Sequence, residues 1–357
     1  MGRDKRPGIW QLAFPSILGN LSFTAVGIAQ TKVVGTLGAE ALAAVGAGQR
    51  VFFAMQAIMM AVSMGTTALV ARAWGAEDQE EASRVTMASL VLAAGIAVPI
   101  TLLGFFYANA FAGAFGLDPE AHRLAAANIR WLSLFTLAYA ANAILSAALR
   151  AAGDAWTPLW VAGGVNVVNI PLLYILVFGH LGLPALGVVG VAVASGVAFT
   201  LGGSALVWLW LTQRFRLQGA VRGWYQPARL QRLVHIGYPA AVEQFVIQAG
   251  FIVFLMLIGN YYGTEAFAAY NVGVNVLLVA ITVGFGFAIA SSTLVGQHLG
   301  ARDPTAAARA GWRSLGYAVL AMAGIGAVTM AFARPLILFF IDDPVTVELS
   351  VRFIYLL

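Results

Sequence analysis

The sequence contains no cysteine. That excludes a disulfide framework, a thiolate zinc site and a cysteine nucleophile. Charge is also scarce: Asp, Glu, Lys and Arg make up 10% of the 357 residues, where soluble domains carry about a quarter. There are four histidines, His122, His180, His235 and His298. All fall in loops or at the ends of apolar runs, without metal-ligand spacing. No G-x-S-x-G elbow, H-E-x-x-H pair or P-loop occurs, so enzymatic chemistry is not expected and neither is a cofactor. Apolar side chains are what remains: 61% of residues, with a mean hydropathy of +0.85. So few charges cannot build a water-facing surface, and the solvent for most side chains should be lipid. The net charge of +5, from 20 Lys+Arg against 15 Asp+Glu, fits basic loops on one side of a membrane and not a nucleic-acid footprint. The basic Met1–Pro7 segment leads into an apolar stretch that runs past the length of a signal-peptide core.

A spanning helix needs about 20 mostly apolar residues. Nine stretches qualify: 9–34, 41–71, 85–111, 125–149, 160–178, 187–211, 236–261, 266–296 and 314–332. A tenth begins near Val345. Fourteen basic residues lie at one set of span ends, among them Arg3, Lys5, Arg72, Arg84, Arg150, Arg222, Arg229, Arg302 and Arg309. Four lie at the other: Arg123, Arg130, Arg334 and Arg352. That bias puts the N-terminus and the richer set in the cytoplasm. The longest connector, 212–235, is basic and contains Pro227.

The chain also repeats itself at an offset of 225. Gly38-Ala-Glu-Ala-Leu-Ala-Ala44 aligns with Gly263-Thr-Glu-Ala-Phe-Ala-Ala269, and Gly75-Ala-Glu-Asp78 with Gly300-Ala-Arg-Asp303. Asp118-Pro119 aligns with Asp343-Pro344. Positions 38–84 share 14 identities with 263–309 without a gap. Pro15 and Gly35 match Pro239 and Gly259 at offset 224. Ala-rich helices resemble one another by composition, but that does not place loops and Asp-Pro turns at one offset. The copies lie an even number of spans apart and so share an orientation, a known transporter plan with the substrate site between the halves. Leu357 aligns with Leu132, partway into the fourth span, so a full second copy calls for more residues. The expected fold is an all-α polytopic membrane protein of two parallel-repeat helix bundles, a twelve-span plan truncated in the tenth. Its divisions are a six-helix bundle at 1–212, a basic cytoplasmic linker at 213–235 and an incomplete bundle at 236–357. By itself this chain is not expected to transport.

Several landmarks, in order, resemble the multidrug and toxic compound extrusion (MATE) family. They are Phe14-Pro15 with Val34-Gly35 and Gly38–Val45; Gly65-Thr-Thr-Ala-Leu-Val70 with Gly75-Ala-Glu-Asp78; and Leu149-Arg-Ala-Ala-Gly-Asp154 with Pro158. Further along come Asn166-Val-Val-Asn169 and Gly187-Val-Val-Gly190, then Gly237-Tyr-Pro239 with Glu243 and Ala290–Gly296. The resemblance implies a V of two six-helix bundles that rock to give alternating access. It also implies antiport of drugs and organic cations against H⁺ or Na⁺ in the inner membrane, by a protein acting as a monomer. Its partners would be small organic substrates and the bilayer.

An ionisable residue inside a span is costly and is a functional candidate by default. Of the 15 acids, only Glu243 lies well inside a span. It is the candidate ion-coupling residue, since desolvation would raise its affinity for a proton. Alternatively it is a structural Glu bonded to backbone or to Gln244 or Gln248. The sodium-coupled branch of the resembling family carries a Glu at this place. The first copy departs from the family: Gln30 and Leu173 stand where many members carry Asp, while Asn169 matches and Ser195 stands near the family's Thr. Tyr139 could line the same cavity. Lys32 can snorkel to the interface, whereas Arg50 lies too deep and should face a watery cavity or a polar partner. The repeat mate of Arg50 is Asn275. Gln30, Lys32, Arg50, Tyr139, Asn169, Ser195, Gln244 and Asn275 are therefore the candidate substrate or cavity residues. Two other readings stay open: a flippase for a lipid-linked saccharide or other anionic substrate, whose headgroup Lys32 and Arg50 would bind, and a non-transporting scaffold.

Overall fold

The computed structural model describes residues 7–212, 217, 222–338, 347–348, 351–352 and 354–355, with side chains at all of these except 39, 248–249, 251–277 and 279. Eleven helices are found among them: α1 (Ile9–Gly35), α2 (Ala39–Gly75), α3 (Gln79–Phe106), α4 (Ala108–Gly113), α5 (Pro119–Ser133), α6 (Thr136–Ala151), α7 (Trp156–Phe178), α8 (Gly187–Leu211), α9 (Pro227–Gly300), α10 (Pro304–Ala331) and α11 (Ala333–Leu338). No strand occurs among the described residues. Seven helices are long and apolar enough to cross a membrane, and the bent pair α5–α6 makes an eighth. The protein is an all-α, multi-pass membrane protein.

The helices start and stop where the sequence supplies chemistry for it. Pro119, Pro227 and Pro304 sit in the first turns of α5, α9 and α10, where a missing N–H costs nothing. The Asp78 carboxylate caps α3 by accepting from the Glu81 N–H at 2.8 Å, and Asp303 caps α10 by accepting from the Ala306 N–H at 2.8 Å. These caps are repeat mates. So are Glu77 and Arg302, both held at positive φ (61° and 59°) just before them. The repeat is thus retained in backbone conformation as well as in sequence.

Two expected spans take a different form. The stretch 85–111 becomes α3 followed by the short α4. The stretch 125–149 becomes α5 and α6, bent by 51°. At this break the Ser133 hydroxyl donates to the Arg130 carbonyl (2.9 Å) and the Thr136 hydroxyl to the Ser133 carbonyl (2.7 Å), local bonds that compete with the helical ladder.

Spans seven and eight fall in one helix, α9. Leu233, near its start, and Gln297, near its end, touch α2 only ten residues apart, at Gly65 and Gly75. A straight 74-residue helix would measure about 110 Å and could not do this, so its two ends are separate passes. The helix begins eight residues before the expected end of the linker. Leu217 and Leu233 are buried there, and Trp224 and Leu230 pack beside them against α2, α3, α6 and α8. The expected tenth span lies largely outside the described residues.

Three apolar clusters stack through the first copy. One joins Val33 and Val34 of α1 to α2, α5, α7 and α8. A second fills the middle around Phe52, Met55, Met59 and Ile144, and the third is the cluster around Leu217 and Leu233. A fourth crosses between the copies: Leu12 and Ala13 of α1 pack on Phe287, Ala290 and Leu294 of α9.

Candidate functional site

The two copies meet at the end that carries Arg72, Arg84, Arg150 and Arg302, and the contact is reciprocal. A Cβ on Gly75 would collide with the Gln297 carbonyl, and one on Gly300 would collide with the Arg72 carbonyl. Residues 75 and 300, and 72 and 297, are repeat mates, so each copy lays its glycine on the other's carbonyl. A second pair lies farther in. A Cβ on Gly237 would stand 2.7 Å from the Ala61 carbonyl oxygen, and one on Gly286 would stand 3.3 Å from that of Ala13. These are mates as well. Backbones this close need glycine, because any side chain would force the helices apart. The buried Gln297 amide also donates to the Ala151 carbonyl at 2.8 Å.

One interaction in this region has no mate. Arg229 of α9 is 5% exposed and forks onto Glu81 of α3, Nε–Oε1 2.9 Å and Nη2–Oε2 2.6 Å. Its Nη1 donates to the carbonyls of Gly223 and Trp224. This bidentate geometry suits a fixed joint. The matched positions hold Lys5 and Ala306, and an alanine cannot complete such a pair.

Inside the first copy lies a cavity of about 130 Å³. α1 contributes Phe23, Val26, Gly27 and Gln30, and α2 contributes Gln49, Phe52, Phe53 and Gln56. Both sets are spaced i, i+3, i+4, i+7, which puts each on one helix face. Asn166 and Asn169 of α7 and Ser195 and Phe199 of α8 complete the polar and aromatic wall. The rings of Phe52 and Phe199 stack, with centroids 5.8 Å apart. The Asn166 amide donates to the Ser22 hydroxyl at 2.7 Å. Gln56 and Asn169 are 7% and 8% exposed, and neither has a hydrogen-bond partner among the described residues. Neither amide is among the fully buried unpaired polar atoms; both open onto the cavity.

The structure brings Gln30, Asn169 and Ser195 together as expected. Tyr139 does not line the cavity. It packs edge-on behind two of its walls, 5.7 Å from Phe52 and 5.3 Å from Phe199. Arg50 does not line it either; it is exposed, with no partner among the described residues. Its helical phase matches Ala61, Gly65 and Arg72, so it lies on the α2 stripe that meets the second copy farther down. Lys32 is exposed near the far end of α1. Glu243 is exposed and Gln244 half-buried on α9. At offset 224, Glu243 matches Gly19, whose Cβ direction faces Leu159 of α7 at 3.9 Å. The side chains of Asn275 and Gln248 lie outside the described residues. Gln49, Gln56 and Asn166 are cavity residues that a search for charges passes over; uncharged polar residues at helical spacing within an apolar span are the signal for them. No group of His, Asp and Glu that could hold a metal ion occurs among the described residues.

The MatE family profile matches residues 15–175 and 239–357. A probable multidrug resistance protein NorM from Thermotoga maritima is 30% identical over 97% of this chain and 74% of its own length. A multidrug resistance protein NorM from Burkholderia vietnamiensis is 31% identical over 94% of this chain and 72% of its own. Among solved structures, one described as the outward-facing conformation of a multidrug resistance MATE family transporter matches with a TM-score of 0.91. It is 24% identical and covers 97% of this chain and 77% of the other. The chain therefore belongs to the MatE, or multidrug and toxic compound extrusion, family of efflux proteins, and it is a transporter and not an enzyme.

Proposed function

We propose that this protein is a secondary antiporter that exports organic cations and other drugs in exchange for H⁺ or Na⁺. The observation that carries this reading is the reciprocal contact of the two copies. Two surfaces matched by the repeat and closely apposed at glycines and carbonyls can part and re-form as rigid bodies, as alternating access requires. The end that carries the arginines is taken as cytoplasmic, with the N-terminus on that side of the inner membrane, by the positive-inside rule. On this assignment the closed contact between the copies lies on the cytoplasmic side.

In this reading the bundles divide as 1–212 and 236–357 with 213–235 between them, and a monomer suffices. Glu243 carries the coupling ion. Gln30, Asn169 and Ser195 contact substrate in the first bundle, with Tyr139 behind them; Gln244, Arg50 and Lys32 face the path between bundles, and Asn275 is the proposed substrate residue matched to Arg50. The repeat calls for six spans in each half, so the test uses a chain carrying all of them, in proteoliposomes loaded with ethidium. Imposed H⁺ or Na⁺ gradients should each be tried, and at least one should drive ethidium movement above the rate in empty liposomes. No response to either gradient would overturn antiport. Export of an anionic lipid-linked saccharide is the second reading, favoured by the unpartnered, exposed Arg50 on the stripe facing the second copy. Gradient-independent movement of such a lipid, lost in Arg50→Ala, would select it.

A further inference from the structure

We infer that the α9–α10 face at the basic end is a seat for an anionic phospholipid, its phosphate held by Arg309 and Arg313 and its glycerol and upper acyl chains laid in the apolar groove beside them; this rests on the proposed reading only in calling that leaflet cytoplasmic. The groove has a volume of about 480 Å³ and is lined by Val295 and Leu299 of α9 and by Ala307, Gly311, Trp312 and Leu315 of α10. Its rim is open, with Trp312 74% exposed.

Depth selects an amphipathic occupant. The apolar run 314–332 measures about 28 Å, close to the roughly 30 Å of a hydrocarbon core. Arg313 therefore marks the boundary of the core, and the first turns of α10, up to Trp312, lie at headgroup depth and beyond. Water would meet most of the groove there unless a molecule with both an apolar and a charged part covered it. The exposed Trp312 suits that layer, because its ring is apolar and its N–H can donate.

Charge selects an anion. Arg309 and Arg313 are exposed, and neither has a hydrogen-bond or ion-pair partner among the described residues. Their i, i+4 spacing puts them on one face, next to Trp312. α10 carries no acid, and the Asp303 carboxylate already accepts from the Ala306 N–H. The first copy differs at each of these points. There Arg84, the mate of Arg309, pairs with Glu80 and donates to the Arg222 carbonyl at 3.3 Å. The mates of Glu80 and Glu81 are Thr305 and Ala306, so the second copy keeps the cation and drops both acids. The mate of Arg313 is Ala88, buried in the cluster that includes Leu145 and Leu206, and the mate of Trp312 is Met87. A helix that gains Arg313 and Trp312 while losing the acids presents cations without counter-charge, which a lipid phosphate supplies.

The test uses the 357-residue chain in phosphatidylcholine nanodiscs. Phosphatidylglycerol or phosphatidylcholine with brominated chains, which quench tryptophan, is added in increasing mole fraction. Trp312 emission is the difference between the parent and Trp312→Phe. Brominated phosphatidylglycerol should half-quench it at a mole fraction at least about fivefold lower than brominated phosphatidylcholine. Arg309→Gln with Arg313→Gln should erase that preference. Thr305→Glu, which puts an acid at the mate of Glu80, should reduce it with both arginines in place. Trp160 is exposed on α7, a helix without basic residues, and should show no such preference in the same difference measurement. Equal quenching of Trp312 by the two lipids would overturn the inference. So would a preference that survives the double substitution, or one equally strong at Trp160, which would mark a general pull of the basic side. Inorganic phosphate at matched ionic strength should leave the quenching unchanged; loss of quenching would show a site for a free anion and overturn the lipid assignment. The nanodiscs carry the lipid in both leaflets and no ion gradient, so a failure of this site is distinguishable from a failure of orientation or antiport.

Discussion

The two copies of the repeat share their contact surfaces and differ in their polar chemistry. Gly75 on Gln297 and Gly300 on Arg72 are the same contact made twice, as are the Asp78 and Asp303 caps. Away from that surface the first copy encloses amides and hydroxyls, while the second presents a carboxylate, Glu243. The Arg229–Glu81 clamp exists on one side alone. What is held in common is what two rigid bodies need in order to meet and part. Under the proposed antiport, what has diverged is the part that would touch solute and ion, and the exchangeable charge would lie in the second copy.

Breaking the shared surface should have the largest effect. Gly75→Val with Gly300→Val places branched side chains against two backbone carbonyls and should hold the basic end open. The native chain lacks cysteine, so closure can be read as the distance between nitroxides on Gln79→Cys and Thr305→Cys, exposed positions beside the contact. The closed-distance population should fall at least about fivefold, the change that roughly 1 kcal/mol produces. An unchanged distance distribution would mean that the glycines are not what allows contact.

Removing the unmatched clamp comes next. Arg229→Ala strands Glu81, which remains one-third exposed and partly solvated. The loss should be about 1–3 kcal/mol, below the 3–5 kcal/mol of a fully buried pair, and visible as a fall of several degrees in Tm. Gln297→Ala removes a single buried hydrogen bond to Ala151 and should cost about 1 kcal/mol, a smaller shift in the same melting experiment. Gln30→Ala should have the least effect on coupling, since an amide has no charge to exchange. Efflux rates at saturating ethidium under both gradients should stay within about twofold of the parent, less than the tenfold that 1.4 kcal/mol would give.

Much of the fold is legible in the sequence because lipid is an unambiguous solvent: long apolar runs with charged ends mark helices. The repeat is legible because capping chemistry such as Asp78 and Asp303 is position-specific. The break at 134–135 is not, since Leu134 and Phe135 are as apolar as their neighbours and the bend comes from hydroxyl bonds of Ser133 and Thr136. In the site, Gln30, Asn169 and Ser195 were found through the family resemblance. Gln49, Gln56 and Asn166 were missed because amides do not stand out by charge, although their helical spacing puts them on one face. The placement of Arg50 outside the cavity was open to the same periodicity: it is one residue, about 100° of helix, away from Gln49.

The most direct test of where the exchangeable charge lies is gradient-driven ethidium efflux by Glu243→Gln beside the parent, each in a chain carrying both six-span bundles. The amide keeps the shape of the side chain and cannot bind or release a proton or pair with Na⁺ as an anion. Efflux abolished in Glu243→Gln, with melting temperature and insertion unchanged, is the result expected if the second copy holds the coupling site. Efflux at the parental rate under the same gradients would contradict it and move coupling elsewhere.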